Sequence, residues 1–138
     1  MKFAAAAALI LSLTGTADPA DDVWDVVANM AASLAEPNPD AFMKPIAKSF
    51  DQYDHLAREV RALAQANQVV SSISLVSNSG DDKQRSLEVD WYMQIHTQGE
   101  GSKTILRREN IKLTLIRTGR RWQVASVSPV EFFAHPNT

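Results

Sequence analysis

Two residues in the last third of the chain carry groups that could move a proton on a small molecule. Arg107 and Glu109 are separated by one residue in a stretch that reads as a strand, and a strand puts alternate residues on the same side. On an enclosed side, Glu109 could act as a general base and Arg107 could hold an oxyanion. A neighbouring guanidinium stabilises the charged carboxylate, which weakens it as a base. The structural alternatives are an inward ion pair, or a strand end that overhangs the core and is solvated.

Composition excludes most other catalytic and metal chemistry. The chain contains no cysteine, so disulfides, thiolate catalysis and cysteine-bound metal are excluded. Its three histidines, His55, His96 and His135, stand far apart and form none of the usual metal-ligand spacings. With 14 Lys and Arg against 16 Asp and Glu, the formal net charge is −2, which does not favour nucleic acid. We therefore predict no metal, no cofactor and no nucleic-acid partner.

The first 17 residues have the layout of a secretory signal peptide. Lys2 precedes an apolar run from Phe3 to Leu13, and Gly15 and Ala17 supply small side chains before a cleavage point. The run is shorter than the roughly 20 apolar residues that span a bilayer. The alternative is an apolar N-terminal helix. We predict export to the periplasm or the extracellular space, with residues 18–138 as a single domain.

Residues 18–67 read as three helices. Asp18-Pro19 is a cap followed by a helix-starting proline, and the helix it begins ends at Glu36-Pro37. Asn38-Pro39-Asp40 repeats the signal for a short second helix, and a residue of the segment 49–51 can cap a third that ends near Asn67. The apolar spacing predicts the buried positions Val23, Val26 or Val27, Met30, Leu34, Tyr53, Leu56, Val60 and Leu63.

From Val69 onward the period changes to two, and β-branched residues become common. Turn-forming residues divide this part of the chain into four predicted strands, which cover residues 69–77, 85–97, 103–117 and 121–133. Short turns between consecutive strands produce hairpins, so the strands should form an antiparallel meander.

The strand register follows from placing apolar residues opposite apolar residues. A turn at Gly99–Gly101 pairs the second and third strands, and a turn at Gly119-Arg120 pairs the third and fourth. The predicted cross-strand partners are Ile95 with Ile105, Leu87 with Leu113, Leu115 with Val124, Ile73 with Val89, and Leu75 with Leu87.

This register gives the sheet one apolar face, which the helices must cover. We therefore predict an α+β fold in which the N-terminal helices pack on a curved, four-stranded antiparallel sheet. Ser126 and Ser128 also point inward unless a bulge intervenes, and polar groups in an aromatic-walled space indicate a ligand pocket. The predicted pocket residues are Trp24, Phe42, Tyr53, Trp91, Met93, Arg107, Glu109 and Ser126.

The opposite face of the sheet is polar. Asp90, Tyr92 and Arg108 lie on it, in positions where complementary charges pair across strands. A solvated face is the ordinary interpretation of such a pattern. Because Tyr92 adds aromatic surface, the same residues could form a homodimer contact.

Four segments together resemble the NTF2-like superfamily, also called SnoaL-like or the cystatin-like α+β cone. These are the helix start at residues 38–42, the strand at 87–95, the Gly-x-x-Trp-x-Val segment at 119–124, and the closing residues 129–133. Within it, the chain resembles an exported bacterial subgroup. The resemblance implies a conical sheet around a cavity, often in a dimer.

The superfamily contains small-molecule isomerases, dehydratases and polyketide cyclases as well as binding modules without enzymatic activity. Its enzymes use a cavity Asp or His together with Tyr or a second acid. In this sequence only Glu109 falls on the predicted cavity face, whereas Asp90 and His96 fall on the outer face. We therefore expect binding of a small hydrophobic or amphipathic ligand, or of a protein partner, and keep a small lyase or isomerase based on Glu109 as the alternative.

Overall fold

A computed structural model describes residues 18–136, so the predicted signal peptide lies outside the described residues. Three helices come first and a four-stranded sheet follows, as predicted. The helices are α1 (Pro19–Ala35), α2 (Pro39–Met43) and α3 (Tyr53–Ala66). The strands are β1 (Asn67–Gly80), β2 (Gln84–Thr97), β3 (Thr104–Thr118) and β4 (Arg121–Ser128), and a 3₁₀ helix, η1, covers Val130–Phe133.

The first two helices begin where the cap-and-proline signals predict. The Asp18 carboxylate accepts a hydrogen bond from the backbone N–H of Ala20 at 2.9 Å, and the Asn38 side chain accepts one from Ala41 at 3.1 Å. The predicted cap for α3 is wrong, because this helix begins at Tyr53 after Gln52, without a side-chain cap. Backbone turns lead into it instead, with Tyr53 N–H donating to the carbonyl of Phe50.

The helices cover the concave, apolar face of the sheet. Strand order is β1-β2-β3-β4 and every neighbouring pair is antiparallel. Fully buried side chains from α1 and α3 meet alternate residues of β2 and β3, which confirms the predicted α+β class. The core positions of these elements include Val23, Val27, Met30, Leu34, Leu56, Val60, Leu63, Leu87, Val89, Ile111 and Leu113.

The predicted pairing of β2 with β3 is confirmed over its whole length, from Gln84 opposite Ile116 to His96 opposite Thr104. The β3–β4 register is confirmed near the turn, where Leu115 faces Val124. A bulge then shifts the register between Thr114 and Leu115, which the alternation of residue types does not reveal.

That bulge makes the predicted inward orientation of Ser126 and Ser128 wrong. Ser126 pairs with Thr114 and therefore lies on the outer face of the sheet. Val127 takes the inward position opposite Leu113 and is 2% exposed. The extra residue of the bulge exchanges the two sides of β4, so the core gains an apolar residue in place of a hydroxyl.

The predicted register of the first hairpin is also wrong, by two residues. Ile73 pairs with Trp91 and Leu75 with Val89. The turn lies further along the chain than expected, because the Asp81 carboxylate accepts hydrogen bonds from the N–H groups of Lys83 and Gln84 at 2.8 and 2.9 Å. The two-residue shift keeps the side chains up to Leu75 on their predicted faces. A second irregularity, between Leu75 and Ser77, exchanges the two faces beyond it, so that Ser77 lies opposite Glu88 on the outer face.

The fourth strand is shorter than predicted and ends at Ser128. Pro129 has no N–H to donate to the neighbouring strand, which explains why the ladder stops there. The chain then turns inward as η1, whose Phe132 and Phe133 are 6% and 0% exposed. We call η1 the aromatic plug, because it fills space under the sheet.

The outer edge of β4 is covered by the segment between α2 and α3. Ile46 forms a parallel bridge with Val124. The N–H of Ala47 donates to the carbonyl of Val124, and the N–H of Val124 donates to the carbonyl of Pro45. These bonds hold α2 and the residues after it beside the β3–β4 turn, where the candidate site lies. Within the described residues, no helix has the length and apolar character required to cross a membrane.

Candidate functional site

The space under Trp91, where the sequence predicts a pocket, is filled by aromatic side chains. The Trp91 ring lies 5.0 Å from Phe133 and 6.3 Å from Phe132, both edge-on. Phe42 lies 5.3 Å from Phe133. Trp91, Phe42, Met93 and Phe133 are all 0% exposed. The structure therefore brings three predicted pocket residues together, but as packed core around the aromatic plug.

Arg107 holds the aromatic plug in place. Its Nη1 donates hydrogen bonds to the carbonyls of Phe132 at 2.8 Å and Ala134 at 2.6 Å. Partial burial lowers the pKa of this guanidinium, which nevertheless stays charged at any pH at which proteins fold. Arg107 is thus a structural anchor for two backbone carbonyls, and among the described residues it has no carboxylate within ion-pair distance.

The other predicted chemical group, Glu109, is solvent-exposed. It pairs with Trp91 across the sheet and so lies on the concave side, as predicted, but no helix covers it. Of the alternatives stated for this strand, the one that applies to Glu109 is a solvated strand end that extends beyond the core. A general base needs a substrate held against it, and the surroundings of Glu109 do not form an enclosure.

The remaining predicted pocket residues are dispersed. Trp24 and Tyr53 are half-buried and pack against the edge of the core. Tyr53 also lines an open groove of about 820 Å³ between α2 and α3, whose other side chains are mostly charged. In that groove Arg61 and Asp40 approach to 3.7 Å. Exposed pairs of this kind contribute little to stability.

A second groove, of about 630 Å³, lies between α1, residues 41–45 and the β3–β4 turn, and we call it the hairpin groove. Its volume falls within the range that small-molecule sites occupy. Gly119 makes this geometry accessible, since its φ of 64° lies in the left-handed region that the tight turn needs. The lining residues are Val26, Asn29, Met30, Ala41, Lys44, Pro45, Thr118, Arg121, Trp122 and Gln123.

The hairpin groove combines apolar walls with a cationic rim. Val26, Met30, Pro45 and Trp122 provide the apolar surface, and Asn29, Thr118 and Gln123 provide neutral polar groups. Lys44 and Arg121 are both exposed, and the lining contains no Asp or Glu.

Trp122 has an unusual environment in this groove. The residue is 7% exposed, and its indole nitrogen is buried without a hydrogen-bond partner in the described part of the chain. Buried indole N–H groups normally find an acceptor. The sequence placed Trp122 in a strand register and in a family pattern, and it did not indicate this groove. The sequence feature that could have indicated the groove is the run of polar and basic residues next to Trp122, at residues 118–123.

The predicted dimer residues form a charged pair on the outer face. Arg108 donates two hydrogen bonds to the Asp90 carboxylate, from Nε at 3.0 Å and from Nη2 at 2.6 Å. These bonds lower the pKa of Asp90 and raise that of Arg108. Tyr92 lies beside them, half-buried. Val70 and Leu106 flank Gln94 on the same face and are 48% and 60% exposed, so apolar surface accompanies the charges.

Two of the three histidines, His55 and His135, take part in contacts between α3 and the C-terminal segment. His55 Nε2 and the Glu131 carboxylate are 2.9 Å apart, and the backbone N–H of His135 donates to the Glu59 carboxylate at 3.0 Å. These contacts fasten the aromatic plug to α3. No cluster of three His, Asp or Glu side chains suited to a metal ion occurs within residues 18–136.

Comparisons with known proteins identify the fold. The structure is similar to a conserved protein from Planctomyces limnophilus, with a TM-score of 0.68 at 9% identity, covering 77% of this chain and 90% of that one. It is also similar to an NTF2-like superfamily protein from Salmonella enterica serovar Typhimurium, with a TM-score of 0.63 at 9% identity, over 79% and 87% of the two chains. A hexachlorocyclohexane dehydrochlorinase, LinA type 2, aligns with a TM-score of 0.62 at 8% identity, over 78% and 80%.

These similarities show that the chain has the NTF2-like fold, which confirms the fold that the resemblance implies, whereas the exported subgroup stays a prediction. No protein-family model matches the chain, and no curated protein matches it. At identities this low, similarity shows the fold and does not carry a function from one protein to another. The function has to be argued from the site.

Proposed function

We propose that this chain is a binding domain without catalytic activity, which takes a small hydrophobic or amphipathic ligand in the hairpin groove. The observation that carries the proposal is the filled interior: the aromatic plug occupies the space under Trp91, where the sequence predicts the pocket. The hairpin groove, which has apolar walls and a polar rim, remains open. Such a combination is typical of small-molecule sites.

The alternative is a small lyase or isomerase. This chain shares its fold with a dehydrochlorinase, but only at 8% identity. The two residues that a lyase or isomerase requires are occupied or exposed: Arg107 is bonded to two backbone carbonyls, and Glu109 faces solvent. A base in bulk water gains no orientation of its substrate. The arrangement therefore supports binding better than catalysis.

The proposal is tested by blocking the hairpin groove. Asn29 is an exposed residue of α1 that lines the groove, so Asn29→Trp would fill it without disturbing the core. Ala32→Trp places the same ring at an exposed position of α1 outside the groove and is the matched control. Ligands are found by thermal-shift screening of neutral and charged amphiphiles, and affinities are measured by calorimetry.

We expect at least one amphiphile to raise the melting temperature of the wild-type protein. Asn29→Trp should weaken its binding about tenfold or more, because the ring occupies the ligand's volume. Ala32→Trp should bind like the wild type. The proposal fails if no amphiphile binds, or if both tryptophan variants bind as well as the wild type.

We also propose that residues 1–17 direct export and are removed. The apolar run after Lys2 and the small residues Gly15 and Ala17 support this. The full-length chain is expressed in a bacterium with a secretory pathway, and the intact mass of the product is measured. A mature protein that begins at Asp18 and is recovered from the periplasm or the medium is expected. A cytoplasmic product that retains Met1–Ala17 would refute the proposal.

A homodimer through the outer face is a further proposal. It is supported by exposed Val70 and Leu106 near the Asp90–Arg108 pair. Light scattering after size-exclusion chromatography should give a dimer mass for the wild type. The double variant Asp90→Arg, Tyr92→Ala should give a monomer, because it sets like charges at the contact. An unchanged dimer mass in the double variant would show that the dimer contact is not on the outer face. A monomeric wild-type protein would refute the homodimer.

A further inference from the structure

We infer that the ligand of the hairpin groove is an anion, a carboxylate on a short apolar body, and that its oxygen accepts a hydrogen bond from the indole N–H of Trp122. This inference rests on the proposed function, because it names the chemical class of ligand for the same groove. Three observations on the groove lead to it: its charge, an unsatisfied donor, and its division into apolar and polar surfaces.

The charge of the groove differs from that of the whole chain. Acidic residues outnumber basic ones over the full sequence, 16 to 14. The hairpin groove nevertheless contains Lys44 and Arg121 and no acidic side chain. Among the described residues, neither cation has a carboxylate oxygen within 4.0 Å. Two such cations over a low-dielectric wall attract an anion.

The indole of Trp122 supplies the specific contact. Among the described residues its nitrogen is the buried side-chain polar atom that lacks a partner. The comparison with Trp91 is direct, since both tryptophans lie on the concave side of the sheet and are buried. Trp91 donates to the hydroxyl of Ser71 at 3.1 Å, whereas Trp122 has no acceptor. Because this nitrogen is buried, an acceptor brought by a ligand would have to displace part of the groove wall to reach it, and would then satisfy a donor that the chain leaves unpaired.

The walls of the groove define the rest of the ligand. Val26, Met30 and Pro45 form an apolar surface from α1 and the segment after α2. A ligand with a charged head and a short apolar body would place the body on this surface and the head beside Trp122. Asn29 and Gln123 are available to a second head-group oxygen. A singly charged carboxylate suits the small donor set better than a phosphate, which proteins usually bind through several backbone N–H groups.

The test uses four ligands that share one eight-carbon chain: octanoate, octanol, octyl phosphate and octyltrimethylammonium. The probe is the indole N–H resonance of Trp122 in the ¹⁵N-labelled wild-type protein. The chain has three tryptophans, so three indole signals are expected, and each is assigned from a Trp→Phe variant. We expect octanoate to shift the Trp122 signal downfield and to leave the Trp91 signal in place. Once the signals are assigned, the titration itself is carried out on the wild-type protein.

Affinities then separate the head group from the body. Octanoate should bind about tenfold more tightly than octanol, and octyltrimethylammonium should bind most weakly. Trp122→Phe keeps the aromatic surface and removes the N–H, so it should weaken octanoate about tenfold and octanol less, because a neutral hydroxyl oxygen accepts a weaker hydrogen bond than a carboxylate. Trp24→Phe, at a half-buried tryptophan that does not line the groove, is the matched control. The double variant Lys44→Gln, Arg121→Gln should weaken octanoate and reduce its salt dependence.

The outcomes distinguish the inference from the proposed function. If octanoate and octanol bind equally well and Asn29→Trp abolishes the binding of both, the groove is a binding site but its preference for an anion is refuted. Stronger binding of octyl phosphate than of octanoate would overturn the carboxylate assignment. Binding of octanoate without a shift of the Trp122 resonance would overturn the indole contact. Failure of all four ligands to bind would contradict both the inference and the proposed function.

Discussion

Each end of the concave side of the sheet carries a buried tryptophan. The two ends differ in whether another part of the chain packs over that tryptophan. At one end Trp91 is covered by Phe132 and Phe133 and donates to Ser71. At the other end Trp122 lines an open groove, and its indole nitrogen has no partner in the described residues. The difference arises in the chain after Ser128, which folds back over Trp91 and not over Trp122. A short C-terminal segment therefore decides which end of the cone is core and which is open to a ligand.

This comparison changes where an NTF2-like fold is expected to hold a ligand. The aromatic residues that predict a pocket in the sequence, Trp91 and Phe42, pack in the structure against Phe133 of the aromatic plug. Large apolar side chains on a concave face favour burial whatever covers them, and a segment of the same chain is always available at high effective concentration. A binding site then remains only where that segment does not reach.

The largest change in stability is expected from removing the central ring of the aromatic plug. Phe133→Ala deletes a ring that is 0% exposed and contacts Trp91 and Phe42. We expect unfolding to become easier by about 3–5 kcal/mol, the usual cost of truncating a buried Phe. The free energy of unfolding is measured by urea denaturation at neutral pH.

Val76→Ala is the control, because Val76 is 53% exposed on β1 and its truncation should change stability by no more than about 0.5 kcal/mol. A loss for Phe133→Ala as small as that of the control would mean that the plug is not part of the core. The truncated protein should also bind benzene, since a cavity lined by apolar side chains stays dry and accepts apolar molecules.

The next prediction concerns the anchor of the plug. Arg107→Met keeps the apolar stem and removes the donor to the carbonyls of Phe132 and Ala134. We expect a loss of about 2 kcal/mol in the free energy of unfolding, because two partly buried carbonyls lose a charged donor. Arg120→Met, at an exposed turn position, is the matched control and should be near neutral. If instead Arg107 served catalysis, its replacement would leave stability unchanged.

A smaller effect is expected at the open end, in the turn that shapes the hairpin groove. Gly119 has φ 64° and its Cα faces open space, so Gly119→Ala would cost only backbone strain, about 1 kcal/mol. Gly119→Asn should cost less, since Asn tolerates the left-handed region better. Melting temperatures measure both. An alanine variant at least as stable as the asparagine variant would contradict this account of the turn.

The smallest effect lies on the outer face, away from both ends. The bonds from Arg108 depress the pKa of Asp90 in the folded protein. A depressed carboxyl pKa stabilises the folded state above the unfolded value of about 3.9, and this contribution disappears as the pH falls through the folded pKa. The stability difference between wild type and Asp90→Asn should therefore be small near pH 7 and vanish at low pH, as measured by urea denaturation. A difference that grows as the pH falls would have the wrong sign.

Short-range features were predicted well from the sequence. The caps at Asp18 and Asn38, the β2–β3 register and the tight turn at Gly119 depend on residues close to them, or on an alternation that admits a single register. The placement of Glu109 on the concave side followed from the same register. Its exposure did not follow, because exposure depends on whether a helix extends over that end of β3.

The errors involve residues whose position depends on distant partners. The bulge in β4 that turns Ser126 outward cannot be read from alternation, since it adds one residue without a composition signal. Phe132 and Phe133 have the residue types of a strand, and only Pro129 hinted that β4 stops early. The hairpin groove was missed because it joins α1, the segment after α2 and the β3–β4 turn.

By itself, the sequence determined the class of the fold, the order of its elements and which face of the sheet is apolar, because periodicity and capping act over a few residues. It also excluded the chemistry that needs a thiol, since the chain contains no cysteine. Only the tertiary structure decided which apolar surface is sealed and which is open. That outcome depends on the path of the residues after Ser128, whose contacts with Trp91, Arg107 and α3 join parts of the chain that are remote in sequence.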